Sequence, residues 1–144
     1  MSHRTIRTII AEQEPVTAPA TMTVSEAARL MREHRVGAIM VVQEGALAGI
    51  FTERDALIRV LADGRDVQAT RLAEVMTRNP KTIHPDRSFA EALQMMYGGS
   101  FRHVPVVEDG RPVGMVSARD ALGPELETFV YEMLRQEQVG DILA

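Results

Sequence analysis

The chain has 144 residues, 45% of them hydrophobic and 25% charged, which suits one compact domain or two small ones sharing a core. A formal charge of −4, the absence of a basic run and an aromatic content of 4% argue against nucleic acid or an acidic membrane surface as main partner. With no cysteine, disulfides, thiolate zinc sites and cysteine nucleophiles are excluded.

The opening Met1-Ser2-His3-Arg4-Thr5-Ile6-Arg7 lacks the apolar run and small residues of a secretory signal. No window approaches the roughly 18 apolar residues of a membrane span, so a cytoplasmic location is expected. Ile6, Ile9 and Ile10 then fall at near-helical spacing before Pro15, which predicts a short helical lead-in over 1–14 that docks on the body.

From Pro15 onward the chain repeats itself. One gapless shift that sets Pro15 on Pro80 also sets Thr17 on Thr82, Glu26-Ala27 on Glu91-Ala92, Gly45 on Gly110, and Arg54-Asp55-Ala56-Leu57 on Arg119-Asp120-Ala121-Leu122. The predicted units are 15–64 and 80–122, joined by 65–79 and followed by an amphipathic helix within 123–144.

Each unit is expected to open with an extended piece beside proline, Val16-Thr17-Ala18 or Lys81-Thr82-Ile83. A helix follows, started by the capping boxes Thr23-x-x-Glu26 and Ser88-x-x-Glu91 and stopped at Gly37 or at Gly98-Gly99. Next come the β-branched runs Ala38–Val42 and His103–Val107. Turns at Gln43-Glu44-Gly45 and Glu108-Asp109-Gly110 fold each run into a hairpin with Leu47–Thr52 or Pro112–Ser117. Pro105 cannot donate to a ladder, so its strand must be bulged or at an edge. A second helix begins at Glu53 and stops near Gly64; its counterpart begins at Ala118 and breaks at Gly123-Pro124. The connection 65–79 holds one docked turn at Leu72, Val75 and Met76. The tail places Leu126, Phe129, Val130, Met133 and Leu134 on one helical face, as core packing or an oligomer interface.

Chemistry concentrates where each hairpin feeds the second helix, at Gly49–Asp55 and Gly114–Asp120. A strand end running into a helix start gathers free N–H groups and the positive end of a dipole, which favours phosphate or another anion. Thr52 with Asp55, and Ser117 with Asp120, can also simply cap. The boxes at Thr23 and Ser88 use Glu where these junctions use the shorter Asp. An Asp carboxylate held near the backbone can accept hydrogen bonds from a ribose diol. The histidines His3, His34, His84 and His103 show no metal-ligand spacing and read as surface or packing residues; no nucleophile elbow, catalytic triad or P-loop occurs.

These repeats resemble a tandem CBS-domain protein, the module named after cystathionine β-synthase. The resemblance rests on Gly49 to Asp55 and Gly114 to Asp120, supported by Arg102-His103-Val104-Pro105-Val106-Val107 and by Glu74-Val75-Met76-Thr77. It implies an α/β fold of two β-α-β-β-α units packed sheet to sheet about a pseudo-twofold, with two clefts. It further implies an adenosine-containing ligand: AMP, ADP, ATP, NAD(H) or S-adenosylmethionine. A homodimer and an effector protein reached in trans are also implied.

Carried over by position, Asp55 and Asp120 would bind ribose hydroxyls, and Thr52 and Ser117 phosphate or ribose oxygens. Thr17-Ala18 and Thr82-Ile83 would present backbone to the adenine edge, while Ile39-Met40 and Val104-Pro105 would wall the base. Arg54 and Arg119 could reach a phosphate. Unit two has Arg102, His103 and His84 where unit one has Gly37, Ala38 and Pro19, so its motif is expected to take the more phosphorylated nucleotide. The reading is a non-catalytic regulatory module with neither metal nor catalytic cofactor. A ligand-free dimerisation scaffold and a phosphate-transferring enzyme are the alternatives.

Overall fold

The computed structural model describes residues 4–143, and side-chain surroundings as far as residue 136, so His3 lies outside the described residues. The lead-in is helix α1 (Ile6–Ile10), whose Thr5 hydroxyl accepts from the Thr8 N–H. Unit one is β1 (Thr17–Pro19), α2 (Val24–His34), β2 (Ala38–Gln43), β3 (Ala46–Thr52) and α3 (Glu53–Asp55), the last widening into a π-helix over Ala56–Leu61. The connection forms α4 (Leu72–Val75) and β4 (Thr77–Arg78). Unit two is α5 (Phe89–Gly99), β5 (His103–Glu108), β6 (Arg111–Ser117) and a 3₁₀ turn at Ala118–Asp120, and α6 (Gly123–Leu143) follows.

Two sheets result, one ordered β1-β2-β3-β4 and one of β5-β6, and they meet where β3 contacts β6. β1 runs parallel to β2, and the remaining pairs are antiparallel. Both hairpins turn through two residues of positive φ, Glu44 (53°) with Gly45 (78°) and Asp109 (54°) with Gly110 (79°). That is the type I′ geometry whose twist suits a hairpin. Both ladders shift register at the same place, between Val41 and Val42 and between Val106 and Val107.

Pro105 explains why unit two lacks a full first strand. In unit one the Met40 N–H donates to Val16 O at 3.1 Å, tying β1 to β2. Pro105 occupies the equivalent position and has no N–H to give. Lys81-Thr82-Ile83 is therefore reduced to one bridge, with Ile83 N–H on Pro105 O and Val107 N–H on Ile83 O, each at 3.0 Å.

The lead-ins cross. α1 docks on unit two, through Ile6 N–H to Arg87 O (2.9 Å) and Arg7 N–H to Pro85 O (2.7 Å), and it buries Ile6 and Ile10 in that unit's core. α4 docks on unit one through the matching bonds, Leu72 N–H to Met22 O (2.9 Å) and Ala73 N–H to Ala20 O (3.0 Å). Phenylalanine and valine exchange places between the cores, Val24 with Phe51 in the first and Phe89 with Val116 in the second. The motif glycines make room for these crossings. A Cβ on Gly49 would stand 2.7 Å from Met76 Sδ and from Thr77 O, and one on Gly114 would stand 2.8 Å from Ile10 Cγ2.

Three sequence expectations about helix ends are corrected. α2 and α5 end in left-handed Arg35 (φ 54°) and Ser100 (φ 57°), while Gly37 lies beyond its helix and Gly98-Gly99 lie inside theirs. The reason is a Schellman closure: Val36 N–H reaches Met31 O at 3.0 Å and Phe101 N–H reaches Met96 O at 3.2 Å, and both apolar residues pack on the cores. The helix expected from Ala118 is only a 3₁₀ turn. Gly123-Pro124 opens α6 instead of ending a helix, since proline is tolerated in a first turn where no N–H is needed. Phe129 of α6 meets Tyr97 of α5 edge-on at 6.0 Å and packs on the second core.

Candidate ligand clefts

At the first junction the Thr52 hydroxyl accepts from Asp55 N–H (3.1 Å) and the Asp55 carboxylate accepts from Thr52 N–H (3.0 Å). At the second, the Asp120 carboxylate accepts from Ser117 N–H at 2.7 Å. The boxes at Thr23 and Ser88 are one-sided: each hydroxyl accepts from the third residue, Glu26 (3.2 Å) or Glu91 (3.3 Å). No return bond from those glutamates occurs among the described residues. The short Asp thus has a local reason at both junctions, since its carboxylate closes the cap. The other Asp55 oxygen stands 3.6 Å from Arg59 Nε. The other Asp120 oxygen carries no hydrogen bond among the described residues, and its backbone carbonyl accepts from Arg4 at 2.8 Å. Arg4 also binds Glu125 at 2.9 Å and lies over Phe89, 5.5 Å from the ring centre.

Two clefts contain these junctions, and each is built across the units. The larger, about 950 Å³, sets Thr52, Arg54 and Asp55 against Asn79-Pro80-Lys81 and Ser100–His103, over an apolar floor of Ile50, Met96 and Phe101. The smaller, about 560 Å³, sets Ser117, Arg119 and Asp120 against Gln13–Val16 and His34–Ala38, with Met40 and Met115 as apolar wall. Both lie in the range of small-molecule sites. Between them a third hollow of about 490 Å³ gathers Arg32, Arg35, Arg102 and Arg119 around Glu53. Glu53 is held there by its N–H bond to Gly37 O at 2.9 Å.

His103 lines all three hollows. Burial, the largest influence, lowers its pKa below the ordinary 6.5; Arg102 and Arg119 act in the same direction, and Glu53 and Asp120 oppose them. A phosphate beside His103 would raise it again.

Of the residues singled out from sequence, Met40, Thr52, Arg54, Asp55, His103, Ser117, Arg119 and Asp120 line the clefts. Ala18, Ile39, Ile83 and Val104 are buried in the cores, and Pro105 is buried beside them. Thr17 and Thr82 are exposed but absent from both linings. Their neighbours Val16 and Lys81 take the lining positions instead, because alternate residues of an extended piece face opposite ways. Lys81, Asn79, Gln13 and Arg35 lie outside the residues singled out as site residues: the first three stand where the chain enters each unit and Arg35 caps α2, all outside the duplicated motif.

The unit-two cations are also redistributed. Arg102 lines the cleft of Asp55, and His103 is shared. His84 stands in none of the three hollows: its Nδ1 accepts from Asp86 N–H at 3.1 Å, and its Nε2 is 3.8 Å from Glu108. His84, Asp86 and Glu108 offer ligand atoms within 4.8 Å of one another, but Arg7 already binds both carboxylates, at 2.9 and 2.7 Å. The pairing raises the Arg7 pKa and lowers those of Asp86 and Glu108.

A duplicated α/β unit with paired clefts at its strand-to-helix junctions defines a CBS-domain pair. The CBS domain family model matches residues 6–62 and 72–124, and the chain belongs to that family. It is 40% identical over 105 residues to the mitochondrial CBS domain-containing protein CBSX3 of Arabidopsis thaliana, a match covering 69% of this chain and about half, 51%, of that protein. Among solved structures it is similar to the CBS domain pair of MJ0100 in complex with 5′-methylthioadenosine and S-adenosyl-L-methionine. That likeness has 30% identity and TM-score 0.74, over 83% of this chain and 93% of that one. PAE2072 of Pyrobaculum aerophilum, complexed with AMP, is 25% identical at TM-score 0.77, over 89% of this chain and 98% of that one. Among the described residues no helix is long and apolar enough to cross a membrane.

Proposed function

We propose that the chain is a non-catalytic regulatory module that binds an adenosine-containing ligand of the AMP, ADP or ATP class in its two crossed clefts. As a homodimer in the cytoplasm, it signals to a partner protein in trans. The observation that carries the reading is the juxtaposition, twice over, of a capped Asp junction, an apolar wall and cations supplied by the other unit. A ligand gripped by both units has different affinity for different arrangements of them, which is the requirement for a sensor. The ligands held by MJ0100 and PAE2072 support the adenosine class. S-adenosylmethionine is the second reading, favoured by the MJ0100 complex, with NAD(H) in the same adenosine class.

Cation placement reverses the nucleotide preference expected from sequence. The cleft of Asp55 adds Lys81 and Arg102 to Arg54, whereas the cleft of Asp120 has Arg35 and Arg119. The Asp55 cleft is therefore assigned the more phosphorylated ligand.

Calorimetric titration with AMP, ATP and S-adenosylmethionine tests this. Loss of one charged hydrogen bond is worth about 1.5–3 kcal/mol, so Asp55→Ala should weaken ATP binding by at least tenfold and Asp120→Ala should weaken AMP binding similarly. Absence of binding by all three ligands would sink the sensor reading and leave the scaffold. Turnover of ATP would restore the enzyme alternative.

A further inference from the structure

The hollow between the two clefts holds a charge imbalance. Four arginines line it, Arg32 and Arg35 from unit one and Arg102 and Arg119 from unit two, against a single carboxylate, Glu53. None of the four makes an ion pair among the described residues. The hollow adjoins both clefts: Glu53, Arg102 and His103 are shared with the cleft of Asp55, and Arg35, His103 and Arg119 with that of Asp120.

The sequence repeat breaks at this spot, and it breaks in a complementary way. In unit one the Glu53 N–H donates to Gly37 O at 2.9 Å; in unit two the equivalent Ala118 N–H donates to Arg102 O at 3.2 Å. The same bond pairs a small residue with a charged one in both units, in exchanged order and with opposite sign. Gly37 permits the exchange, since a Cβ there would stand 3.1 Å from Glu53 Oε1. Without that Cβ, the Glu53 carboxylate lies back over Gly37 inside the arginine hollow. Its place in the first turn of α3 is favoured by the helix dipole. Its field also reaches unit two. Burial is the largest influence on His103 and lowers its pKa, and Glu53 is the foremost charge opposing that shift.

We infer that Glu53 sets how much negative charge a ligand can carry: it is the resident counter-ion of the arginine hollow, and a phosphate group entering from either cleft must compete with it there. A carboxylate that served only to join the units would make an ion pair with one of these arginines, and Glu53 makes none among the described residues. Each phosphate added to a ligand is opposed by Glu53 and favoured by the four arginines. The balance between them selects ligands by charge, not by the adenosine they share. The inference rests on the proposed nucleotide clefts for the ligand that brings the phosphate.

Calorimetric titration of the full chain with adenosine, AMP, ATP and inorganic tripolyphosphate tests it. Glu53→Gln keeps the shape and removes the charge; it should tighten ATP and tripolyphosphate by about fivefold, tighten AMP by less, and leave adenosine within about twofold. Ala118→Glu adds a carboxylate at the equivalent place and should weaken ATP by a similar factor, again sparing adenosine. A merely structural role for Glu53 would move adenosine and ATP together. That result, or ATP and tripolyphosphate affinities unchanged in both variants, would overturn the inference and leave the nucleotide reading standing. A chain that ignores adenosine and AMP, takes ATP no better than tripolyphosphate, and still binds tripolyphosphate more tightly as Glu53→Gln would overturn the nucleotide reading and uphold Glu53. Native and variant chains that bind none of the four probes would overturn both.

Discussion

The junctions at Thr52–Asp55 and Ser117–Asp120 begin with nearly the same residues and end in different surroundings. After Asp55 the chain continues as helix to Leu61, and Arg59, one turn on, stands by the Asp55 carboxylate. After Asp120 the helix stops within one turn. Arg4 from the opposite end of the chain holds the Asp120 carbonyl and the first turn of α6 through Glu125. The first junction is braced by its own helix, the second by a distant segment and the tail. Duplicated chemistry has been set in two mechanical contexts: the second junction is tied to α6 through Arg4, whereas the first cleft meets α6 through Tyr97 and Phe129.

The glycines beneath these junctions differ most in what a side chain there would meet. Gly49→Ala forces a Cβ against the Thr77 carbonyl, which is backbone and cannot swing away. Gly114→Ala meets Ile10 at both Cγ2 (2.8 Å) and Cβ (2.9 Å), so relief there needs a shift of the short helix α1 and not a side-chain rotation alone. Overpacking of this kind costs about 1–3 kcal/mol, and Gly49→Ala should fall at the upper end and Gly114→Ala at or below the lower. Thermal denaturation of both variants would show it, and equal losses would mean that the two lead-ins are docked with equal rigidity.

A smaller effect sharpens the role of His103, which both junctions share. Its folded pKa lies below 6.5, so between those values the unfolded chain binds more protons than the folded one. The His103 contribution is complete above about pH 6.5 and is lost as pH falls from there through the folded value. Urea titrations from pH 7.5 downward should show His103→Gln losing less stability than the native chain across that window. Parallel profiles would remove His103 from its half-buried place between the clefts.

Much of the fold was legible because it is written locally. Glu44-Gly45 and Asp109-Gly110 specify hairpins by turn chemistry, and Thr23 and Ser88 announce helix starts. The paired junctions were legible because duplication exposes them, and half of the singled-out residues line the clefts. What lay beyond the sequence is partner choice. Ile6–Ile10 and Leu72–Val75 share little but apolar spacing, and nothing local says that each docks on the unit it does not precede. Missing that crossing grouped Arg102 with Asp120 and left Lys81 out of the site. The helix stops were misplaced for a similar reason: burial of Val36 and Phe101 fixes where the chain turns, overriding the pull of nearby glycines. Pro105 was read correctly as incompatible with a regular ladder, yet its consequence, the loss of a strand partner at Lys81, needed the Met40 bond of unit one for comparison.

Each cleft joins the junction of one unit to the segment leading into the other, and Lys81 is the residue whose coupling reports on that crossing. A double-mutant cycle measured by ATP calorimetry would combine Lys81→Ala with Asp55→Ala and, separately, with Asp120→Ala. The crossed architecture predicts non-additive losses for Lys81 with Asp55, coupled by about 0.5 kcal/mol or more, and simple addition for Lys81 with Asp120. Coupling to Asp120, with additivity toward Asp55, would contradict it.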